Sequence, residues 1–348
     1  MRPAVQNVAI VSLSAGTLGE RYVSHELAIG VERLGHMGLT VRFMPHALRG
    51  VDYVREHPEK RAADLLQALE DPCVDMILCA IGGDDTYRLL PHLFDHGELA
   101  AAVSSASRKV FLGFSDSTVN HLMFHKVGMQ TFYGQSFLAD ICEMGEHMLP
   151  YSRRSFEELV RTGTIREVRP SEVWYESRVD FRPSQVGTPL VAHRNRGFKL
   201  LQGGATFSGE VLGGSIDTFF DFFNGRRYAD MPALCKRYGI FPSAGEWVGK
   251  ILLLESSEEK ISPVAYRTAL AALKGEGVFS AVSGILVGKP VDELYAEEYE
   301  RALVEVIDDP GLPVLCNVNV GHAQPRCIIP FGPKAEVDAR EQVIRFVG

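Results

Sequence analysis

Residues 111–118 read FLGFSDST. An apolar run stops at Ser115, with Gly113 two residues before it and Asp116, Ser117 and Thr118 directly after. Two readings fit this stretch. One is a strand that ends in a polar turn. The other is a strand-to-helix bend that presents a reactive serine. The segments on either side decide which fold can carry it.

Upstream, strand-like and helix-like segments alternate. VAIVSLSA (8–15) reads as a buried parallel strand, followed by RYVSHELAIGVERLGHMG (21–38) with apolar residues at helical spacing. LTVRFMP (39–45) is a second strand and EKRAADLLQALE (59–70) a helix. DMILCAIGG (75–83) is a third strand ending in two glycines. DDTYRLLPHLF (84–94) reads as a helix that Pro91 kinks or ends. KVFLGF (109–114) is the fourth strand, and STVNHLMFHKVG (117–128) is its helix. Such alternation predicts an α/β fold with a parallel sheet flanked by helices.

Residues 164–199 break the rhythm with Pro170, Pro183 and Pro189, scattered charges and short β pieces such as EVWYESRVDF. The expected organisation is a nucleophile domain over 1–165, an inter-domain crossing over 166–200 and a C-terminal domain over 201–348. In LQGGATFSGEVLGGSIDTFFDFF (201–223), the pairs Gly203/Gly204 and Gly213/Gly214 allow backbone to pass close to backbone or to a ligand. Alternation then resumes: strands at 250–256, 282–289, 312–322 and 326–332, and helices over 263–277 and 292–308.

Composition narrows the function classes. With 348 residues, 46% hydrophobic and 23% charged, the chain reads as a soluble protein of about two domains. A formal net charge of −8 argues against a nucleic-acid partner, which a basic face would recruit. No apolar stretch approaches ~18 residues, so no membrane span is expected. The N-terminus lacks a secretory pattern, and the six cysteines form no CxxC. A reducing cytoplasm and no metal site are the expectations.

In open α/β sheets, ligands bind beyond the carboxyl ends of the strands. Three reactive side chains stand at such ends: Ser115, Glu255 after KILLLE, and His322 after VLCNVNVG. A serine, an acid and a histidine are the parts of a nucleophilic hydrolase. Backbone N–H groups of Asp116 and of Gly83, in IGGDD, are candidate oxyanion donors. Each residue also has a structural reading. Ser115 suits a helix cap. Glu255 suits a surface pair with Lys260, His322 a satisfied structural histidine, and Gly82–Gly83 a plain turn. GFSDS, moreover, ends in Ser117 where a GxSxG elbow has glycine.

GFSDST (113–118), IGGDD (81–85), LLLES (252–256) and NVNVGHAQPRCIIPFG (317–332) occur in this order. Together they resemble the LD-carboxypeptidase family of serine peptidases, which includes the microcin C immunity proteins. IGGDDTYRLLP and LQGGATFSGEVLGGSIDT are similar to the immunity-like branch. The resemblance covers nearly the whole chain. It implies an N-terminal parallel-sheet domain like that of class I glutamine amidotransferases and a smaller C-terminal α/β domain with a barrel-like sheet. It implies catalytic Ser115, Glu255 and His322, with the N–H groups of Gly83 and Asp116 as oxyanion donors. It also implies no metal or cofactor, a homodimer, and a small peptide or aminoacyl-nucleotide substrate cut at an amide near a free carboxylate.

Asp84, Asp85, Trp174 and Lys260 are candidate substrate contacts. The two aspartates suit a cationic amine or a helix cap. The resemblance implies that Trp174, in EVWYE, stands where the immunity proteins carry an aromatic that stacks on the base; its alternative is an interface aromatic. The LESSEEKISP turn is shorter than the loop of the immunity proteins, which leaves the register of Lys260 open. The competing functions are an esterase of the α/β-hydrolase kind and a peptide-binding module without catalysis.

Overall fold

The computed structural model describes residues 3–347. The chain forms two compact units: residues 1–164 with 178–190, and residues 165–177 with 191–348. The stretch expected to be a crossing is thus shared, its residues 178–190 belonging to the first unit.

In the first unit, five parallel strands lie in the order β5-β4-β3-β1-β2. They are β1 (Asn7–Val11), β2 (Thr40–Phe43), β3 (Met76–Cys79), β4 (Val110–Gly113) and β5 (Thr131–Tyr133). The inner strands β3 and β4 are buried along their whole length, as continuous apolar runs covered on both faces require. β2, at the edge, alternates between exposed and half-buried. From β1 the chain moves outward to β2 and then crosses back to β3 on the other side. The carboxyl ends of β1 and β3 therefore border a switch point, where open α/β sheets form crevices.

Pro91 acts differently from the expectation. Residues Thr86–Leu89 form a 3-10 turn, and Pro91 sits in the first turn of the helix Leu90–Phe94 that follows. Its missing N–H costs nothing there, so the proline starts a helix instead of ending one.

The second unit is built on an open, curled sheet of eight strands, a half-barrel, in the order β6-β16-β15-β10-β11-β12-β13-β9. The strands are β6 (Glu167–Val168), β9 (Lys199–Gln202), β10 (Thr206–Ser215), β11 (Ile251–Glu255), β12 (Gly284–Gly288), β13 (Val314–Val318), β15 (Lys334–Asp338) and β16 (Val343–Val347). A short pair, β7 (Val173–Tyr175) and β8 (Ala192–Arg194), stands apart, and β14 spans Ile329–Phe331. β10 changes partner midway. Thr206–Glu210 pair antiparallel with β15, then Val211–Ser215 run parallel to β11. Gly213 adopts φ 153°, and a Cβ on it would press into the backbone of Leu253. This glycine pair does bring backbone against backbone, as expected.

β13 ends at Val318, four residues before His322, so the run 312–322 is strand followed by loop. The helix expected from 292 begins only at Ala296, because Asp292, Glu293 and Tyr295 all hold positive φ. Among the described residues, no helix is long and apolar enough to cross a membrane.

Candidate active site

Ser115 is the first residue beyond β4 and Phe114, and it opens a 3-10 turn, Ser115–Ser117, that runs into the helix Thr118–Lys126. Its φ is 64°, the left-handed region that a residue with a Cβ enters at a cost of about 1–2 kcal/mol. The surroundings hold it there. The Ser115 N–H donates to the Tyr133 hydroxyl at 3.1 Å, and the Thr118 hydroxyl donates to the Ser115 carbonyl at 2.6 Å. Gly82 makes the room: a Cβ on it would lie 2.7 Å from the Ser115 Cβ and 2.8 Å from its Oγ. Gly113 does the same for Ser117, whose Oγ would meet a Cβ at 2.8 Å. Neither this turn nor the helix after it has a side-chain N-cap, so Ser115 is not serving as one.

Behind the bend lies His121, fully buried. One ring nitrogen lies 2.7 Å from the Thr131 hydroxyl and the other 3.1 Å from the Gly113 carbonyl. Burial pushes its pKa down to about 3, so it is neutral and braces the end of β4.

Asp116 contributes its backbone to the bend and its side chain to the interior. Its buried Oδ2 accepts from the Ser14 hydroxyl at 2.6 Å and from the Thr86 N–H at 2.9 Å. One carboxylate thus ties together the loops after β1, β3 and β4. Burial raises its pKa, against the pull of these donors. The Asp116 N–H lies in the first turn of a helical segment, where intrahelical acceptors are lacking. Gly83 adopts φ 149° with its Cα packed against Ser14 and Ala15, a position with no space for a side chain.

Asp85 departs from both of its expected roles. It makes no side-chain cap, and its oxygens face the buried Arg61 guanidinium at 2.5 and 3.2 Å. Its carboxylate is the counter-charge of Arg61. Asp84, next to it, is half-buried.

In the second unit, Glu255 ends β11 with its side chain fully buried. Its Oε2 lies 2.7 Å from His322 Nδ1 and also accepts the His322 backbone N–H at 3.2 Å. Glycines wall it in. A Cβ on Gly288 or on Gly321 would lie 2.7 or 2.5 Å from the Glu255 Cβ. Gly321, at φ 91°, also turns the chain that delivers His322. Glu255 therefore pairs with the histidine, and Lys260 pairs instead with Asp292, at 2.6 Å. Sequence reasoning missed Glu258. Its Oε2 lies 3.0 Å from His322 Nε2. Burial alone would depress the His322 pKa, yet the two carboxylates outweigh it and push it up to about 10. No motif marks Glu258; the only signal was its place three residues after Glu255.

Trp174, on β7, is buried within the second unit. Its ring stacks on His193 at 4.4 Å, and the Lys289 ammonium lies 5.2 Å from the ring centroid.

A strained serine at a strand-to-helix bend and an imidazole oriented by a buried carboxylate are the kinds of group that serine hydrolases use. The chain belongs to the LD-carboxypeptidase family: residues 8–134 match its N-terminal domain and residues 208–337 its C-terminal domain. A crystal structure of an MccF-like protein from Streptococcus pneumoniae, in complex with AMP, is 54% identical, with a TM-score of 0.96 and 99% of each chain covered. The microcin C7 self-immunity protein MccF of Escherichia coli is 27% identical over 89% of this chain and 84% of its own length. A protein of Bacillus subtilis named "Probable murein peptide carboxypeptidase" is 25% identical over 89% of this chain and 83% of its own.

Proposed function

We propose that the protein is a serine peptidase that hydrolyses an amide bond near a free carboxylate, with Ser115 as nucleophile. His322 takes the Ser115 proton at Nε2 and returns it to the leaving amine. Glu255 fixes the imidazole through Nδ1 and stabilises its charged form. The peptide N–H groups of Gly83 and Asp116 stabilise the oxyanion. Water then hydrolyses the acyl-enzyme by the same proton path.

The observation that carries this reading is the left-handed conformation of Ser115, at φ 64°. A strained non-glycine residue at a strand end, with glycines cleared around it, is a feature of functional sites. Neither a capping serine nor a binding module requires it.

The substrate we propose is an aminoacyl or peptidyl nucleotide. Support comes from the 54% identical MccF-like protein, whose structure is described in complex with AMP. Trp174 is the aromatic that would stack on the base, and Lys260 the cation beside it, with Asp84 near the reacting amide. The second reading is a murein tetrapeptide that loses D-alanine, which the Bacillus subtilis relative favours. A homodimer in the cytoplasm accompanies either reading.

A hydrolysis assay read by mass spectrometry tests both. It offers an aminoacyl adenylate joined through a phosphoramidate and a murein tetrapeptide, with Ser115→Ala as control. Release of the amino acid by the parent alone supports the nucleotide reading. Release of D-alanine supports the murein reading. Equal turnover by Ser115→Ala sinks the nucleophile assignment.

A further inference from the structure

His322 is held at both ring nitrogens by carboxylates. Glu255 Oε2 stands 2.7 Å from Nδ1, and Glu258 Oε2 stands 3.0 Å from Nε2. An ionised carboxylate only accepts hydrogen bonds, so both nitrogens carry hydrogen when both contacts are made. The ring is then an imidazolium. Nε2 is the nitrogen that must accept the serine proton, and an imidazolium has no lone pair to offer.

The two carboxylates differ in kind. Glu255 is fully buried and walled by glycines, whereas the Glu258 side chain is 71% exposed. The turn that carries Glu258 is pinned by polar contacts. The Ser257 N–H donates to Asp217 at 2.9 Å, Glu259 pairs with Arg227, and Lys260 pairs with Asp292 at 2.6 Å. The two ion pairs are only partly covered, so they are weaker and more readily screened than pairs inside the core.

We propose that Glu258 is a latch on His322: it occupies the proton-accepting nitrogen in the free protein, and the base becomes competent only when the turn 258–260 releases it. The latch rests on the reading of His322 as the catalytic base. On release, the Nε2 proton passes to water, and the neutral ring keeps its Nδ1–H toward Glu255. Nε2 is then free to take the Ser115 proton. The charged groups of the second unit around this ring are Glu255 at the end of β11, Glu258 on the turn and Asp217 in the helix Ile216–Asn224. Arg326 adds a guanidinium that donates to the His322 carbonyl at 3.1 Å. The hydrogen bond from His322 holds the Glu258 carboxyl down at about 2, the lowering expected of a carboxylate that faces an imidazolium.

The test needs no substrate. Nitrogen-15 NMR of the histidine rings follows the His322 titration in the full chain, in Glu258→Gln and in Glu259→Gln. A fluorophosphonate probe, whose fluoride leaves as the serine oxygen bonds to phosphorus, reports the rate of Ser115 modification against pH in the same proteins. The latch predicts a fall of up to about 0.7 pH unit in the His322 pKa for Glu258→Gln, from loss of an ion pair with an exposed carboxylate. It predicts a smaller fall for Glu259→Gln, which loosens the turn but keeps the Glu258 carboxylate, and a matching acid-ward move of the labelling profile. An unmoved pKa in Glu258→Gln, or equal moves in both variants, overturns it. A moved pKa with an unmoved labelling profile shows a contact that does not gate. If the pKa moves and no protein is labelled, the pairing of Ser115 with His322 fails, and the latch fails with it.

Discussion

The space beside Ser115 allows a quantitative test of the strained bend. Gly82 is not among the residues with positive φ, so alanine fits its backbone. The new Cβ would stand 2.7 Å from the Ser115 Cβ and 2.8 Å from its Oγ, while the next atom, the Asp116 nitrogen, is 3.5 Å away. The first two distances demand a shift, and the third is ordinary contact. Gly82→Ala should therefore cost about 1–3 kcal/mol, the usual range for overpacking. In a Ser115→Gly background both clashing atoms are gone, and the same substitution should cost almost nothing.

Ser115→Gly itself should change stability by about 1.5 kcal/mol at most, since it relieves about 1–2 kcal/mol of left-handed strain and gives back about 0.5–1 kcal/mol through the freer unfolded chain. The double-mutant cycle should then return a coupling of about 1–3 kcal/mol, as for residues in direct contact. Trp174 and Trp247 both lie in the second unit, so tryptophan fluorescence does not follow this transition. Hydrogen exchange of the β4 amides against urea does. With a urea slope of about 2 kcal/mol/M, a 2 kcal/mol cost moves the midpoint by about 1 M. An equal midpoint shift for Gly82→Ala in both backgrounds would refute the argument that Gly82 exists to admit the serine.

Other consequences follow from the same residues. Arg61→Met should cost up to about 3–5 kcal/mol in urea unfolding of the first unit, because it leaves the buried Asp85 carboxylate with only the longer, 3.6 Å contact to the partly exposed Arg88; a cost under 1 kcal/mol would show that Arg88 or water compensates the carboxylate. The two buried histidines should act at opposite ends of the pH scale. His322, raised from 6.5 to about 10, contributes stability that is complete below pH 6.5 and lost as pH rises through 10. His121, lowered to about 3, contributes stability that is complete above pH 6.5 and lost as pH falls toward 3. Hydrogen exchange resolved by unit should show the second unit weakening in alkali and the first in acid, and His322→Gln should remove the alkaline decline alone. If the nucleotide reading is right, AMP should change tryptophan fluorescence in the parent and not in Trp174→Phe, since Trp247 is fully buried; an unchanged response in that variant assigns the base to another surface.

Periodicity could reveal the strands of the first unit because β1, β3 and β4 are apolar throughout, and a parallel sheet covered on both faces leaves that mark. It could not reveal where strands stop. DMILCAIGG and VLCNVNVGH continue as apolar text beyond their last ladder residues, Cys79 and Val318, because buried loops that deliver site residues need the same side chains. The elbow was obscured for a related reason. A fixed GxSxG pattern places the small residues next to the serine in sequence, whereas here one of the two close approaches is relieved from another strand, by Gly82 after β3. Steric demands at a bend are set in space, and only a fold shows which chain segment meets them. The same holds for charge. Asp85 belongs to Arg61, Lys260 to Asp292 and Glu258 to His322, pairings 24, 32 and 64 residues apart that no local spacing encodes. Glu255 and His322 were legible because each ends an apolar run with a residue type that burial penalises. That penalty is the common thread: a buried acid or imidazole persists only with a partner, and here the two are each other's partner at 2.7 Å. Glu258 has a largely exposed side chain and pays less of that penalty, so its place three residues after Glu255 is its only mark in the sequence although it meets the same ring.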